Sequence, residues 1–522
     1  MKRIIIKSIS FLLVCCAIGC GAMRSAQQSG SKSGKCYYVD AQLGDDKGSG
    51  RSEAEAFKSL SKVNTLSLKA GDKVLFKRGC RFVGRLELSA NGLEDNRIYI
   101  DAYGDGDKPM ISAPDNSLYA IQILNSNYIT VQNLEVVNRG SAPLAKRTGV
   151  NVAVSNFGVS NGITVRALDI RDVNGSLVKS KGGGSGILIS AEYKSTPSRF
   201  NELLIEDNTI RRCERNAMIW HARKESPSTN VIVRRNLIEQ VPGDGIVPIG
   251  CDGAVVEYNL MRDCPPLTSL KEAAAGIWPW SSDNTIIRFN EVSDHKARWD
   301  GQGFDSDFNC ENTIIEYNYS HDNWGGFLLI CTPKLSTSNS GNNNSIIRYN
   351  LSVGDGLRPV ETREGVFSPT IHITGPHNNT LVEKNILHVN KKPDNQLFPI
   401  DRTLIKFDKW DEYPTNTTLK DNIFYVAECS RIIGDEKAKN TLFDSNYYLG
   451  EGGFSQRPTD ANEKMASNYY NRALEGDIEA YNSLVMSLTR EMTIADGQAT
   501  LRYIDKQKMQ QLFDDIAQES GN

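Results

Sequence analysis

Near copies of one heptapeptide recur in this 522-residue chain as Asn284-Thr-Ile-Ile-Arg-Phe-Asn290, Asn312-Thr-Ile-Ile-Glu-Tyr-Asn318 and Asn344-Ser-Ile-Ile-Arg-Tyr-Asn350. Between its two asparagines, each copy has β-branched residues in two-residue alternation. This pattern is typical of a strand with one buried face. The heptapeptide therefore predicts short strands that begin and end in the same way along the chain.

The second asparagine of this motif recurs at intervals of 23 to 37 residues. Such intervals, without helical patterns between them, predict stacked strands of a parallel β-helix with a ladder of asparagine side chains at one turn. A propeller blade needs four strands in about 40–45 residues, so the intervals favour the β-helix over a propeller or sandwich. The recurring positions are Asn208, Asn236, Asn259, Asn290, Asn318, Asn350, Asn385, Asn422 and Asn446.

The N-terminal segment contains the stretches Tyr37-Tyr38-Val39-Asp40, Gly44-Asp45-Asp46 and Ala70-Gly71-Asp72-Lys73-Val74. They resemble the capped first turn of the pectate-lyase-like β-helix superfamily. The resemblance covers residues 35–450 and implies an all-β, right-handed parallel β-helix. Because lyases, hydrolases and binding proteins share this fold, it does not determine a reaction.

The segment before the β-helix predicts export. Residues 1–19 carry three cations and then the apolar stretch Ile9–Ile18, as secretory signals do. The end of this segment, Ala17-Ile18-Gly19-Cys20, resembles a bacterial lipoprotein cleavage box and implies lipidation of Cys20. Residues 20–34 predict a flexible tether. We expect a lipoprotein anchored at the outer membrane or cell surface; the alternative is an ordinary secretory signal and a periplasmic or secreted protein.

The segment after the β-helix, residues 451–522, predicts a short helical cap. Helix formers in amphipathic spacing occupy Ala461–Leu488 and Gln498–Glu519. Such a cap would cover the unpaired strand edges at the open end of a coil. We expect the exported chain to be a monomer.

Charge and cysteine content exclude other classes of protein. A formal charge of −3 without long Lys/Arg runs argues against a nucleic-acid partner. Cys213 and Cys264 occupy equivalent positions of the repeat, two turns apart. Cys251 and Cys310 occupy another pair of equivalent positions, also two turns apart. Two turns span roughly 9–10 Å, beyond the reach of a disulfide. We therefore expect buried free thiols.

Alignment of a second strand in each turn predicts which side chains point outward in pairs. Only one of these pairs consists of two acids, Asp305 and Asp307. The outward pairs are Ile219 and His221, Val247 and Ile249, Trp278 and Trp280, Asp305 and Asp307, Leu328 and Ile330, and His372 and Thr374.

Three aspartates within eight residues predict the catalytic site. Asp305 and Asp307 stand two apart on one strand face, and Asp300 lies in the preceding turn. Like charges this close raise the pKa of one carboxyl, so an acid and a base or nucleophile can stand side by side. Retaining glycosidases need carboxyls about 5–5.5 Å apart and inverting ones about 6.5–9.5 Å, and three acids allow either. We predict a glycoside hydrolase acting on a polysaccharide or oligosaccharide.

Residues 299–307 also resemble a narrower group within this fold, the lacto-N-biosidase family of β-helix glycosidases. In that family two aspartates seven residues apart are the acid/base and the nucleophile, and Asp300 and Asp307 match these positions. The resemblance does not extend to the substrate. The residues themselves do not decide whether Asp305 or Asp307 is the second catalytic carboxyl.

Other side chains near this strand predict substrate contacts. Trp278 and Trp280 offer flat faces to sugar rings. His221 and His372 could line the same groove, and Glu272 and Glu361 fall in long turns beside it, as does Glu364.

Two other functions fit the same residues. A Ca2+-dependent polysaccharide lyase would use the acids to hold Ca2+ against substrate carboxylates and a Lys or Arg as base. We expect the nearby Lys296, Arg298, Arg358 and Arg363 to be solvent-exposed surface charges instead. A surface glycan-binding lipoprotein would use the aromatic pair without catalysis, and the aspartates could then cap turns and bind structural Ca2+. The hydrolase hypothesis requires no cofactor.

Overall fold

The computed structural model describes residues 34–464 and 478–519. The predicted signal segment, Cys20 and the tether up to residue 33 lie outside the described residues. Within the described ranges, no helix reaches the length and apolarity required to cross a bilayer.

Residues 34–464 form a coil of parallel strands that are arranged on three faces. One face is a 17-stranded sheet that begins at Cys36–Val39 and includes Leu442–Asp444. The second is a 13-stranded sheet from Arg81–Val83 to Tyr447–Leu449. The all-β, parallel β-helix prediction is confirmed.

The third face, here called the site face, consists of two six-stranded sheets. The isolated bridges Ile246↔Ile277 and Ile277↔Phe304 connect them. A separate pair of short strands, Ala273–Ala274 and Trp299–Asp300, lies beside the junction. The strands of the site face are Leu86–Leu88, Tyr119–Leu124, Arg147–Ser155, Gly184–Glu192, Asn216–His221 and Ile246–Val247, followed by Gln302–Ser306, Gly326–Cys331, Ile371–Thr374, Thr403–Asp408, Ser430–Ile433 and Phe454–Gln456.

The predicted asparagine ladder is confirmed. All nine amide side chains from Asn208 to Asn446 are fully buried. Each of the first eight donates from Nδ2 to Oδ1 of the next one, at 2.9 or 3.0 Å. Buried amides must find hydrogen-bond partners, and identical neighbours one turn away supply them. The ladder therefore holds successive turns in register.

Isoleucine, valine and phenylalanine side chains from all three faces fill the interior of the coil. The four cysteines singled out by the repeat, Cys213, Cys251, Cys264 and Cys310, are buried and free, as predicted. Their burial raises the pKa of each thiol, so they remain protonated and pack as small apolar groups.

The C-terminal region contains the short helix Lys506–Glu519, and the helix Ile478–Leu488 precedes it. The helix expected to begin at Gln498 is wrong over its first turns, because Thr489–Ile494 and Ala499–Ile504 form an antiparallel hairpin. Apolar side chains of this region, including Phe513, pack on a row of outward-facing aromatic rings such as Tyr349. The alternation in Ala499–Ile504 suits a strand with one buried face, which explains the hairpin.

Candidate functional site

A cavity of about 400 Å³ opens on the site face, where the two six-stranded sheets meet. It contains all three aspartates of the predicted catalytic segment. Around them stand three tryptophans, several charged groups and a few small residues. The lining residues are Lys179, Asp244, Ala273, Ala274, Ala275, Trp278, Trp299, Asp300, Asp305, Asp307, Phe308, Leu329, Cys331, Arg363, Glu364, His372, Thr374, Asp408, Lys409 and Trp410.

Strand register explains why the aspartates share this cavity. Phe304 points into the core between Ile277 and Leu328, so Asp305 lies between Trp278 and Leu329 on the outer surface. Two residues further along, Asp307 faces outward in the same way. Alternation on one strand thus places both acids on the site face.

The predicted register of the next strand is wrong by one residue. Leu328 and Ile330, expected to face outward, are fully buried in the core, and Leu329 and Cys331 line the cavity instead. Gly326 has a φ of +113°, and a Cβ there would stand 2.3 Å from the carbonyl oxygen of Pro369. This glycine serves a close backbone approach and does not mark the start of the inward register.

Asp300 stands at the turn before the strand, with a φ of +56°. Its backbone is held on both sides. The guanidinium of Arg358 donates to the carbonyl oxygens of Ala297, at 2.6 Å, and of Asp300. On the other side, the N–H of Gly301 donates to the carbonyl of Ala274 at 2.7 Å. Burial raises the pKa of the Asp300 carboxyl, and the charge of Lys179 opposes that rise.

Asp305 is the most enclosed of the three acids, with 4% of its surface exposed. Its buried Oδ1 atom has no hydrogen-bond partner among the residues that the structure describes. Burial, and then the negative charges of Asp300 and Asp307, raise the pKa of this carboxyl well above its usual range. These effects favour the protonated, uncharged form of Asp305.

Asp307 differs because two donors converge on its Oδ1 atom. The backbone N–H of Phe308 lies 2.7 Å away and the Sγ atom of Cys331 lies 3.1 Å away. Burial raises the pKa of Asp307 to about 6, although both hydrogen bonds lower it. Asp307 is therefore mostly ionised at neutral pH, whereas the surroundings of Asp305 favour its protonated form.

Trp278 and His372 also line the cavity, as their predicted role requires. The ring of Trp278 lies under the Lys179 ammonium, 5.1 Å from its centroid. His372 Nε2 lies 3.0 and 3.1 Å from the two carboxylate oxygens of Asp408. Burial raises the pKa of Asp408, but the hydrogen bond and charge of His372 outweigh this effect, so the net pKa falls below its usual value.

The other predicted substrate contacts lie outside the cavity lining. Trp280 is 36% exposed on the flank of Phe308, with ring centroids 5.4 Å apart. His221 lies on the same face as Trp280, two turns away along the coil. Glu361 is exposed at the surface.

Glu272 supports the wall of the cavity. Its Oε2 atom accepts a hydrogen bond from the Lys179 backbone N–H at 2.7 Å and lies 3.6 Å from Nε of Arg215. It thereby fixes the loop that places Lys179 over Trp278.

The sequence predicts that Arg358 and Arg363 are surface charges. This prediction is wrong for Arg358. Its side chain is buried under the Asp300 turn, with 4% exposed. Arg363 is exposed, yet it lines the cavity, with its guanidinium carbon 3.8 Å from the ring centroid of Trp299. Long turns outside the repeat carry both residues, so the strand pattern does not locate them.

Other lining residues had no sequence signal that pointed to the site. Asp244 is fully buried and pairs with the equally buried Arg215. Burial raises the pKa of Asp244, but the charge of Arg215 outweighs it and lowers the net value. Trp410 reaches the cavity from a loop and is 42% exposed, with its ring 6.2 Å from that of Phe308.

Over residues 34–464 and 478–519, no group of three or more His, Cys, Asp or Glu side chains is arranged to hold a metal ion.

Comparison with known proteins agrees with this architecture. A family model described as "Right handed beta helix region" matches residues 185–442. The lacto-N-biosidase of Bifidobacterium longum subsp. longum is 26% identical over 523 residues, which cover 78% of this chain and 31% of that protein. The chain thus spans about a third of the length of this curated relative.

A solved structure gives the same result for the fold. The crystal structure of the GH136 lacto-N-biosidase from Eubacterium ramulus superposes with a TM-score of 0.57 at 23% identity, over 83% of this chain and 68% of that one. The likeness to β-helix glycosidases predicted from residues 299–307 therefore extends over most of the chain. This protein is a right-handed parallel β-helix that resembles glycoside hydrolases of that fold.

Proposed function

We propose that this protein is a glycoside hydrolase that cleaves an oligosaccharide bound in the cavity around Asp300, Asp305 and Asp307. One observation carries the proposal. Three carboxyls from one short segment share a cavity, and none of them forms an ion pair with a basic side chain in the described parts of the chain. Acids that served only to stabilise the fold would be paired, because burying unpaired carboxyls costs free energy.

The three carboxyls have different properties, as a hydrolase needs. Asp307 is the proposed nucleophile, because it is mostly ionised and its Oδ1 is fixed by two hydrogen bonds while Oδ2 has no partner among the described residues. Asp300 is the proposed acid/base. Its raised pKa suits proton donation, and its partly exposed position allows water to enter.

The proposed reaction has two steps. In the first, Oδ2 of Asp307 bonds to the anomeric carbon while the glycosidic C–O bond breaks, and Asp300 gives its proton to the departing oxygen. In the second, Asp300 takes a proton from water, the water oxygen attacks the anomeric carbon, and the bond to Asp307 breaks. The proton returns to Asp300, so the enzyme is restored.

Aromatic side chains near the acids suit a sugar substrate. The exposed rings of Trp280 and Trp410 both lie next to Phe308 and can pack against the apolar faces of sugar rings. The name of the curated relative suggests the first substrate to try, a lacto-N-bioside.

The test is a screen of the purified protein against 4-nitrophenyl lacto-N-bioside, other neutral glycans and uronic-acid polysaccharides. New reducing ends without ultraviolet absorbance, unaffected by a chelator, would support hydrolysis. Absorbance from an unsaturated product that disappears with chelator would replace the proposal by a Ca2+-dependent lyase. Binding without any product would replace it by a glycan-binding protein.

The Asp307→Asn variant locates the reaction. Loss of the proposed nucleophile should lower kcat by about 10³-fold or more. Asp105→Asn, at an exposed carboxyl far from the cavity lining, is the matched control and should keep full activity. If Asp307→Asn also kept full activity, the reaction would take place elsewhere.

A further inference from the structure

Two buried polar atoms at the cavity have no hydrogen-bond partner within residues 34–464 and 478–519. They are Nε1 of Trp278 and Oδ1 of Asp305, whose residues are 6% and 4% exposed. Unpartnered buried groups occur elsewhere in the described chain, but these are the two that belong to lining residues of this cavity. Each such group costs free energy unless a bound molecule supplies the missing hydrogen bond.

The two residues lie side by side. The bridge between Ile277 and Phe304 puts Trp278 and Asp305 on adjacent turns of the site face, roughly 5 Å apart along the coil. The Lys179 ammonium lies over the ring face of Trp278, whereas the ring N–H group has no partner in the described part of the chain. An indole N–H can only donate a hydrogen bond.

Asp305 can donate as well. A carboxyl that keeps its proton has one O–H donor, and both its burial and the negative charges of Asp300 and Asp307 favour the protonated form. Two donors on adjacent turns can converge on one acceptor oxygen of a bound molecule.

We infer that Trp278 Nε1–H and the Asp305 carboxyl together bind one uncharged oxygen of the substrate, either a ring hydroxyl or an acetamido carbonyl. This inference rests on the proposed function. The pair suits an uncharged acceptor, because both donors lack a formal charge and the ionised Asp307 stands two residues from Asp305 on the same face. The pair therefore sets specificity for neutral sugars.

Removing either donor should lower the affinity for the substrate by the contribution of one hydrogen bond. Removing one neutral hydrogen bond costs about 1 kcal/mol or somewhat more, which corresponds to roughly 5–10-fold in Kd. Trp278→Phe removes the N–H and keeps a ring. Asp305→Leu removes the carboxyl and keeps a similar volume.

The experiment measures Kd by calorimetry in the Asp307→Asn background, so that no probe is cleaved. The probes are lacto-N-biose, the analogue with hydroxyl in place of acetamido, the 2-deoxy analogue, and the remaining monodeoxy analogues. Trp278→Phe and Asp305→Leu should each weaken binding of lacto-N-biose by roughly 5–10-fold. Both variants should show no such loss with one and the same analogue, the one that lacks the recognised oxygen.

The identity of that analogue distinguishes the two oxygens. If the variants and the parent have equal Kd values only for analogues that lack the acetamido group, the recognised oxygen is the acetamido carbonyl. If their Kd values are equal for another deoxy analogue, it is the hydroxyl that this analogue lacks. Trp220→Phe is the control, since Trp220 also has an unpartnered buried Nε1 but lies in the core outside the cavity. Its Kd values should match those of the parent.

Two results would overturn the inference. If Trp278→Phe weakened every analogue equally, the ring would act by packing alone. If both variants bound every probe as the parent does, the pair would not touch the substrate. In either case cleavage by the wild-type protein would leave the proposed function intact, whereas a wild-type protein that neither bound nor cleaved any glycan would refute both.

Discussion

The thiol of Cys331 donates to the carboxylate of Asp307 across adjacent turns of the coil, with 3.1 Å between Sγ and Oδ1. Both residues line the cavity. The bond favours the ionised form of Asp307 and opposes the effect of burial. A neutral, buried thiol is therefore part of what keeps the proposed nucleophile charged.

Replacing Cys331 by alanine should shift the pH dependence of activity. The pKa of Asp307, about 6, should rise without this donor, so the acidic limb of kcat/KM should move to higher pH by roughly half a unit to one unit. Activity at pH 8 should change little. The measurement is a pH profile of kcat/KM from pH 4 to 9.

Cys251→Ala is the matched control for this variant. Cys251 is also buried, but its Sγ atom contacts the carbonyl of Ile249 at 3.7 Å, away from the cavity. Its profile should coincide with that of the wild type. An unshifted acidic limb in Cys331→Ala would show that the thiol does not influence Asp307.

The Asp305→Asn variant should be more stable than the wild type at high pH. The folded pKa of Asp305 lies well above its unfolded value of about 4. Such a group contributes stability that is fully present below pH 4 and is lost as the pH rises through the folded pKa. Asparagine removes this loss, so its Tm should exceed that of the wild type by roughly 2 °C or more at pH 8.

The comparison requires Tm values at several pH values. The difference between Asp305→Asn and wild type should shrink as the pH falls towards 4. The exposed Asp105→Asn change should give no such trend. A constant difference at all pH values would mean that Asp305 does not hold a raised pKa in the folded protein.

Some of this site could be predicted from the sequence and some could not. Regular alternation was enough to bring Asp305 and Asp307 to one face, because both stand on one strand. The neighbouring strand was misplaced by one residue because Gly326 serves a backbone contact with a segment 43 residues further on. That shift hid Cys331, whose role depends on facing Asp307.

The strand repeat does not predict which loop residues line the cavity. Lys179, Asp244 and Trp410 reach the cavity from turns whose lengths differ from one coil to the next. The buried asparagine ladder, by contrast, leaves a regular mark in the sequence, because every turn must solve the same hydrogen-bonding problem. The fold was therefore predictable in more detail than the walls of its cavity.

Arg358 should position Asp300 rather than act on the substrate. Replacing it by methionine leaves the carbonyls of Ala297 and Asp300 without their donor, which should cost about 1–3 kcal/mol in stability. A displaced Asp300 should lower kcat by roughly 10²-fold with little change in KM. The measurements are Tm and steady-state kinetics.

Two further variants separate position from charge. Arg358→Lys keeps one donor group and should recover part of kcat. Arg298→Met removes a partly exposed arginine nearby and should change neither quantity. If Arg358→Met lowered Tm but left kcat intact, Arg358 would support the fold without positioning Asp300.

Replacing one asparagine of the buried ladder should destabilise the coil more than replacing the exposed first asparagine of the same heptapeptide. Asn318 donates to Ile287 and Asn350 at 2.9 and 3.0 Å and accepts two hydrogen bonds from Asn290. Asn318→Ala leaves these buried groups unpaired and should lower the free energy of unfolding by about 2–4 kcal/mol. The control is Asn312→Gly, at the exposed first asparagine of the same heptapeptide. Glycine tolerates the φ of +57° there, and the cost should stay below about 1 kcal/mol. Thermal unfolding of both variants decides the matter, and equal losses would mean that burial of the ladder contributes nothing beyond its hydrogen-bond count.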